Sequence, residues 1–227
     1  MNELHIGIDI GKRHDPSAIA VAVVEHRRPA LLPGSHAPMP KGVTHYTFPF
    51  LKRLDLETSY PEQVKQLLEI SDKAKGRYLV EQRRASQGGM VHIYVDVTGV
   101  GDAVVDMLKP GMAKIGRLHP CRFTAGDRVN RNVSEYMIGK AHFASRLQVL
   151  SESKLIHLPP DYPEAQLLAQ EMLDFDIDVD EASGKATFGA MRPGTHDDLV
   201  CALGLACLID PAKNLVTVGP KPAWAKL

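Results

Sequence analysis

The sequence predicts an α/β protein in which a central mixed β-sheet carries helices on both faces. Apolar segments rich in β-branched residues alternate with segments of helical period, and polar or Gly-rich turns separate them. The 227 residues, 44% of them hydrophobic and 24% charged, are typical of a globular protein with a sizeable core. Neither an internal repeat nor a break in composition divides the sequence. We therefore expect one domain over residues 1–212 and a mobile tail over 213–227.

Two strands are predicted at the start of the chain, over residues 4–10 and 18–24. Both are apolar runs of the kind found in strands buried on both faces, and a polar turn joins them. The first strand carries Asp9. A carboxylate in such a strand costs several kcal/mol unless it is paired, protonated or bound to a cation. The alternative is an Asp at the strand end that caps the following turn.

A Pro-rich, partly basic loop is predicted over residues 26–42, followed by a third strand over 45–51. Pro49 lies in this strand and favours an edge position or a strand end, because proline donates no ladder hydrogen bond. A helix then starts at Ser59, a typical capping residue, and ends in the basic stretch 73–77.

A strand–turn–helix unit follows the polar segment 78–90. The apolar run 91–95 leads into Asp96, a Gly-rich turn over 97–102 and a helix over 103–108. This pattern is typical of one half of an α/β crossover. It places a second carboxylate at the end of a strand.

The second half of the sequence continues the alternation. We expect a strand over 114–120, a basic polar loop over 121–134, a helix from Ser134 through Val149, a strand over 155–158 and a helix over 163–173. Acidic and apolar residues then alternate over 174–181, which together with 186–188 predicts a small edge hairpin with a solvated acidic face. Asp197 and Asp198 open a last apolar helix over 199–208.

Charge and cysteine content exclude several classes of protein. Lys and Arg together number 27, as do Asp and Glu, so nucleic-acid binding would depend on local basic patches. The three cysteines, Cys121, Cys201 and Cys207, lack the spacing of a zinc site or a disulfide framework, and the last two are expected in the core. No signal peptide and no apolar run of about 18 residues is present, which predicts a protein of the cytoplasm.

The acidic residues Asp9, Asp96, Asp197 and Asp198 occupy positions where α/β sheets place their chemistry. Carboxylates crowded together cannot all ionise near pH 7 unless cations lie among them. Such oxygen ligands suit Mg²⁺ or Mn²⁺, and two ions about 3.5–4 Å apart would support phosphodiester hydrolysis. Separate capping roles for each Asp are the alternative.

Several segments, taken in order, resemble the nuclease domain of tailed-phage terminase large subunits. They are residues 6–9 with 15–21, 94–101, 139–140 before an apolar helix, 155–159 and 196–203. The resemblance spans about residues 4 to 210. It implies an RNase H-like fold and two-metal cleavage of double-stranded DNA during genome packaging.

The resemblance also implies roles for individual residues. Asp9 would bridge both metal ions, Asp96 would bind one, and Asp197, Asp198 or both would complete the site. Lys140 would be a lysine of the catalytic pocket. His196 would order the entrance of the last helix or contact a ligand, and its alternative role is that of a neighbour of the helix cap.

One feature departs from a full terminase, which carries an ATPase motor ahead of the nuclease. The GxxxxGK[ST] phosphate loop of such a motor is absent from this sequence. We therefore expect an excised nuclease domain or a stand-alone terminase-like nuclease that does not pump DNA by itself. The resemblance implies a terminase ATPase domain, a small terminase subunit or a portal as partners, and the cytoplasm of a bacterial host carrying a phage or prophage.

Double-stranded DNA would be held by local cations that neutralise phosphates without reading sequence. The candidates are Arg83, Arg84, Lys114, Arg117, Arg122, Arg128 and Arg131. A solvated charged surface is the alternative for each of them.

Two other families share parts of the pattern. One is another RNase H-like nuclease such as a Holliday-junction resolvase. The other is the actin/Hsp70/sugar-kinase superfamily, whose phosphate loops residues 7–11 and 96–101 resemble, although its Gly-Gly adenosine motif is not found. A DNA-binding remnant without catalysis is a third possibility, which the complete set of acidic residues disfavours.

Overall fold

The computed structural model describes residues 2–11, 15–28, 42–85, 89–99, 102–159, 161–180, 185–190 and 196–214. Most of the predicted Pro-rich loop and most of the predicted tail lie outside these residues. Of the predicted tail, residues 213 and 214 belong to a short helix.

A mixed sheet of eight strands forms the centre of the molecule, as predicted. Its strands are β1 (Asn2–Asp9), β2 (Ala18–Arg27), β3 (Val43–Arg53), β4 (Gly89–Asp96), β5 (Arg117–Thr124), β6 (Val129–Arg131), β7 (Tyr136–Gly139) and β8 (Ile156–His157). Their order across the sheet is β6-β7-β5-β4-β1-β2-β3-β8. Strands β1, β4, β5 and β7 are parallel to one another, so their carboxyl ends meet at one edge of the sheet.

Helices cover both faces of the sheet, again as predicted. The helices are α1 (Tyr60–Arg84), α2 (Asp102–Ile115), α3 (Lys140–Glu152), α4 (Pro163–Asp174), α5 (Asp198–Ala206) and α6 (Pro211–Asn214). Helices α1 and α2 share one apolar core with the sheet, whereas α3, α4 and α5 share the other. The predicted hairpin forms a separate two-stranded antiparallel sheet, β9 (Phe175–Asp180) with β10 (Lys185–Ala190).

The alternation of β1 explains how α5 comes to lie on the sheet. Leu4, Ile6 and Ile8 pack into the core under α1 and α2. Gly7 faces α5, and a Cβ atom added to it would lie 1.9 Å from the carbonyl oxygen of Ala202. Only glycine therefore allows the α5 backbone to approach β1 this closely.

The first helix is longer than predicted, because the basic stretch at 73–77 does not end it. Helix α1 continues to Arg84, and Tyr78 and Gln82 extend its buried face. The Tyr78 hydroxyl donates a hydrogen bond to the Asn2 carbonyl oxygen at 2.6 Å. The polar residues Glu81, Arg83 and Arg84 around them are exposed and lie on the solvent side of the helix. Ser59 is the N-cap residue, but its side chain makes no capping hydrogen bond.

The prediction for residues 121–139 is wrong. The expected loop contains the end of β5 and the strand β6, and the helix expected from Ser134 begins only at Lys140. Ser134 lies instead in a turn, where its N–H and hydroxyl donate to the Asn132 side-chain oxygen at 2.9 and 3.2 Å. Pairing of β7 with β5 and β6 determines the strand, and these partners are not visible in a local sequence pattern.

Pro49 lies within β3 rather than at its end. The pairing of β2 with β3 shifts register between Val21 and Val23, which pair with Phe50 and Thr47, so that Pro49 lies in a β-bulge. On the other side of β3, β8 pairs only with Tyr46 and Thr47. Beyond Thr47 the strand is an edge of the sheet, which agrees with the edge position that proline favours.

Candidate functional site

Three of the four predicted acidic residues, Asp9, Asp96 and Asp197, line a cleft at the carboxyl edge of the parallel strands. Asp9 and Asp96 end β1 and β4, and the preceding residues, Ile8 and Val95, are partners in the parallel register. The two carboxylates therefore leave neighbouring strands side by side. The cleft has a volume of about 370 Å³ and is lined by Asp9, Asp15, Asp96, Thr98, Phe123, Lys140, Phe143, Phe175, Asp197 and Cys201.

Asp15 was not a predicted site residue, yet it lines the cleft together with Asp9. The close approach of Asp15 to Gly11 requires a glycine, because a Cβ atom added to Gly11 would lie 2.0 Å from the Asp15 carbonyl oxygen. The Gly11 N–H donates to the Ser17 hydroxyl at 2.9 Å, and this hydroxyl donates to Gln63 of α1 at 2.8 Å. The signal in the sequence is a second acidic residue in the polar turn directly after Asp9.

Asp96 is held by the turn that follows it. The N–H of Thr98 donates to the Asp96 carboxylate at 2.7 Å, and the Thr98 hydroxyl accepts from the N–H of Phe123 at 2.8 Å. Gly99 has a φ of 74°, a left-handed conformation that glycine adopts without strain. The glycine of the predicted Gly-rich turn thus fixes the direction of the carboxylate, and residues 100 and 101 lie outside the described part of the chain.

The acidic cleft concentrates negative charge away from water. Burial raises the pKa of Asp9 well above its usual range, and nearby carboxylates raise it further, namely those of Asp96, Asp198, Asp197 and Asp15. Burial likewise raises the pKa of the Cys201 thiol, which is partly exposed in the cleft rather than enclosed in the core as predicted. Both groups are therefore neutral more readily than the free side chains.

Asp96 is also buried, but hydrogen bonds and positive charges offset more of the effect of burial on its pKa. Burial raises its pKa, whereas the hydrogen bonds from Thr98 lower it. The positive charges of Arg122 and Lys140 also lower it, which places both cations within electrostatic reach of the acidic cleft. Lys140 is the first residue of α3 and lines the cleft itself.

The structure separates the roles of Asp197 and Asp198. Asp197 is the N-cap residue of α5 and lines the cleft. Asp198 lies behind it, 5% exposed, with one carboxylate oxygen 3.7 Å from Arg53 Nε and 3.7 Å from His196 Nδ1. Burial raises the pKa of Asp198 to about 7, against the positive charge of Arg53.

Glu171 of α4 is a buried acidic residue that the sequence analysis missed. It is 5% exposed, and one carboxylate oxygen forms an ion pair with Arg53. The other oxygen accepts hydrogen bonds from the backbone N–H groups of Leu199 and Val200 at 2.9 and 3.1 Å. No local pattern reveals this contact, because Glu171 precedes its backbone partners by 28 and 29 residues.

Two of the predicted DNA-binding cations, Arg122 and Arg128, lie at the cleft edge of the sheet or close to it, as does Lys140, the lysine predicted for the catalytic pocket. Lys140 lines the cleft, and Arg122 acts on Asp96 while its Nε lies 3.2 Å from Glu135. The carbonyl oxygen of Arg128 accepts the N–H of Gly139, so Arg128 is next to the start of α3, and its side chain is exposed.

The remaining predicted cations are not brought to the cleft. Arg83 and Arg84 end α1 just before β4 begins, and Asp96 ends β4 about 23 Å farther on, at about 3.3 Å per residue. Arg117 pairs with His92, about 13 Å from Asp96 on the same scale, and Lys114 precedes it. Arg131 lies three strands from Asp96, with its guanidinium over the Tyr136 ring.

Among the described residues, no three His, Cys, Asp or Glu side chains are arranged to hold a metal ion. The carboxylates of the cleft stand near one another without forming a closed coordination site. Within the same residues, no helix combines the length and the apolar composition that a membrane span requires.

Comparisons with known proteins identify the fold. Neither a protein-family model nor a curated protein matches the chain. The human cytomegalovirus terminase nuclease domain, in a structure soaked with manganese and bound to an inhibitor, matches with a TM-score of 0.51 and 10% identity over 93% of this chain and 85% of that chain. A second structure of this nuclease domain matches with a TM-score of 0.50 and 12% identity over 93% and 86% of the two chains.

Both matches cover 93% of this chain. The fold that the sequence resemblance implied is therefore confirmed, and an origin in tailed phages stays a prediction. The chain has the RNase H-like fold of viral terminase nuclease domains.

Proposed function

We propose that the chain is a metal-dependent endonuclease that cleaves double-stranded DNA by hydrolysis of a phosphodiester bond. The observation that carries this proposal is the group of carboxylates from β1, β4 and the start of α5 at the carboxyl edge of an RNase H-like sheet. In α/β sheets this edge is where ligands bind. A structural relative with this fold, a viral terminase nuclease domain, was studied in manganese-soaked crystals, which supports a divalent metal as cofactor.

The residues of the acidic cleft fit such ions by their chemistry. Asp9, Asp96 and Asp197 offer only hard oxygen donors, and burial together with the neighbouring carboxylates raises the pKa of Asp9. A cation would relieve the repulsion among these groups. We assign these three as the residues that would hold Mg²⁺ or Mn²⁺, two ions in all.

Bound metal ions would act as Lewis acids and lower the pKa of a bound water. The protein side chains have separate tasks. Lys140 would place its ammonium group beside the phosphate oxygens and stabilise the charge that develops there. Phe123 and Phe175 form an apolar wall of the cleft, which limits the access of bulk water to the reacting phosphate. Asp198 and His196 would support the start of α5 from behind.

DNA binding would depend on the cations at the cleft edge, because the chain carries no net charge. Lys140, Arg122 and Arg128 lie where a duplex backbone crossing the cleft would pass. Contacts of this kind position the backbone without reading bases, so we expect cleavage with little sequence preference. A role in genome packaging would require a separate ATPase motor, since this sequence lacks its phosphate loop.

The first test is cleavage of supercoiled plasmid with Mg²⁺, Mn²⁺ or EDTA. We expect nicking and then linearisation with either metal, none with EDTA, and a loss of at least 100-fold in Asp9→Asn and Asp96→Asn. Asp106→Asn is the matched control, because Asp106 is exposed on α2 and pairs only with Lys109 among its described ion pairs. A four-way junction offered beside the plasmid separates a junction resolvase from a duplex nuclease.

Absence of cleavage with every metal would refute the proposal. If ATP then raised the melting temperature, the phosphate-loop alternative would replace it.

A further inference from the structure

The start of α5 has an unusual cap. Asp197 is the N-cap residue, and the side chain of an N-cap Asp normally accepts the N–H of the second or third helical residue. Here these residues are Leu199 and Val200. The Asp197 side chain makes no capping hydrogen bond with them.

Glu171 makes these bonds instead, from a different helix. One of its oxygens accepts both N–H groups, at 2.9 Å from Leu199 and 3.1 Å from Val200. Arg53 occupies the other oxygen, and the side chain of Glu171 is buried. Both oxygens of Glu171 are therefore engaged, and the backbone donors that Asp197 would otherwise use are already satisfied.

We propose that Glu171 is a positioning residue that takes over the capping of α5 and thereby commits the Asp197 carboxylate to the acidic cleft. The inference rests on the proposed function only where it concerns metal binding. The two carboxylates compete for the same pair of N–H groups, and their like charges oppose joint occupation. Arg53 forms an ion pair with Glu171 and so compensates its charge at this buried position.

If Glu171 only held α4 against α5, its loss would not change the position of the Asp197 carboxylate; if Glu171 replaces Asp197 as the cap, it would. In Glu171→Met, which has a similar size but no acceptor, Asp197 should turn back and cap its own helix. The affinity for Mn²⁺ should then fall at least 10-fold, as measured by titration calorimetry on the protein in the absence of DNA. Glu171→Gln keeps one acceptor oxygen and should lie between wild type and Glu171→Met. Glu164→Gln on the same helix should bind Mn²⁺ like wild type.

The decisive comparison combines each background with Asp197→Ala. In the wild-type background this change removes a carboxylate from the cleft, so the metal-free melting temperature should stay the same or rise while Mn²⁺ affinity falls. In the Glu171→Met background it removes the substitute cap, so the metal-free melting temperature should fall and Mn²⁺ affinity should change little. The sign of the thermal effect thus reverses between the backgrounds.

Equal effects of Asp197→Ala in both backgrounds would overturn the inference, as would wild-type Mn²⁺ affinity in Glu171→Met. If Glu171→Met does not fold, Glu171→Ala, which also lacks an acceptor, serves as the second background for the same comparison. If wild-type protein fails to bind Mn²⁺, the proposed function fails, and the reversal of the metal-free thermal effect still decides whether Glu171 replaces Asp197 as the cap.

Discussion

Gly7 should be the most sensitive small residue of the fold, because α5 lies directly on its Cα atom. A Cβ atom there would lie 1.9 Å from the Ala202 carbonyl oxygen and 2.6 Å from the Ala206 nitrogen. Both contacts are with backbone, which cannot rotate away as a side chain can. Helix α5 and β1 would have to separate by about 1 Å before the shorter contact becomes tolerable.

We therefore expect Gly7→Ala to lower the free energy of unfolding by about 3 kcal/mol or more, the upper part of the range for overpacked cores. For a domain of this size the melting temperature should fall by about 6–12 °C, at about 2–4 °C per kcal/mol. Urea unfolding followed by circular dichroism measures the first quantity and calorimetry the second. The shift of α5 also moves Asp197, so stabilisation by Mn²⁺ should weaken.

Gly76→Ala provides the matched control. Gly76 lies within α1, and an added Cβ would meet nothing within 4 Å. The same substitution should there stabilise the protein by about 0.5–1 kcal/mol, because alanine favours helix. A loss of less than about 1 kcal/mol in Gly7→Ala would refute the close approach of α5 to β1.

Three further outcomes are expected. Mg²⁺ at about 100 times its Kd should stabilise wild type by about 2.7 kcal/mol and should not stabilise Asp9→Asn. Without metal, Asp9→Asn should be more stable than wild type. Thermal unfolding with Mg²⁺ and with EDTA measures both effects. Lys140→Gln should slow plasmid cleavage at least 10-fold, whereas Arg84→Gln, at the far end of the sheet, should leave the rate within twofold. Burial, aided by the charges of His92 and Arg117, lowers the pKa of His119 to about 3, below its unfolded value of about 6.5. Because the pKa is lower in the folded state, the contribution of neutral His119 to the free energy of unfolding is complete above about pH 6.5 and is lost as the pH falls toward 3. Between pH 7 and 4.5, wild type should therefore lose more stability than His119→Gln, as measured by urea unfolding.

The sequence was informative where local chemistry determines the structure. The Asp after the apolar run 91–95 identified the end of β4, whereas Asp9, expected inside a strand over 4–10, is the last residue of β1. Parallel pairing of these strands brings Asp9 and Asp96 together. The apolar helix after Asp197 and Asp198 was also predicted. The α/β fold class followed from the alternation of strands and helices, and the RNase H-like fold from the resemblance to a known family.

The sequence did not predict those features of the structure that depend on contacts between residues far apart in the chain. Strand β7 has a composition that also suits a helix, and only its pairing with β5 makes Tyr136–Gly139 a strand. The choice between Asp197 and Asp198 depends on Arg53 and Glu171, which reach the start of α5 from β3 and α4. Nothing in the residues around the acidic pair indicates these partners.

The bulge in β3 has a consequence for the behaviour of the protein at high concentration. An open strand edge is a template on which another chain can add a strand and begin to aggregate. Past the two residues covered by β8, the edge of β3 contains Pro49, which offers no N–H donor, and the bulge interrupts its regular ladder. The charged residues Lys52 and Arg53 end the strand. An incoming strand would therefore find neither a continuous row of partners nor a flat apolar surface, and association of chains through this edge is disfavoured.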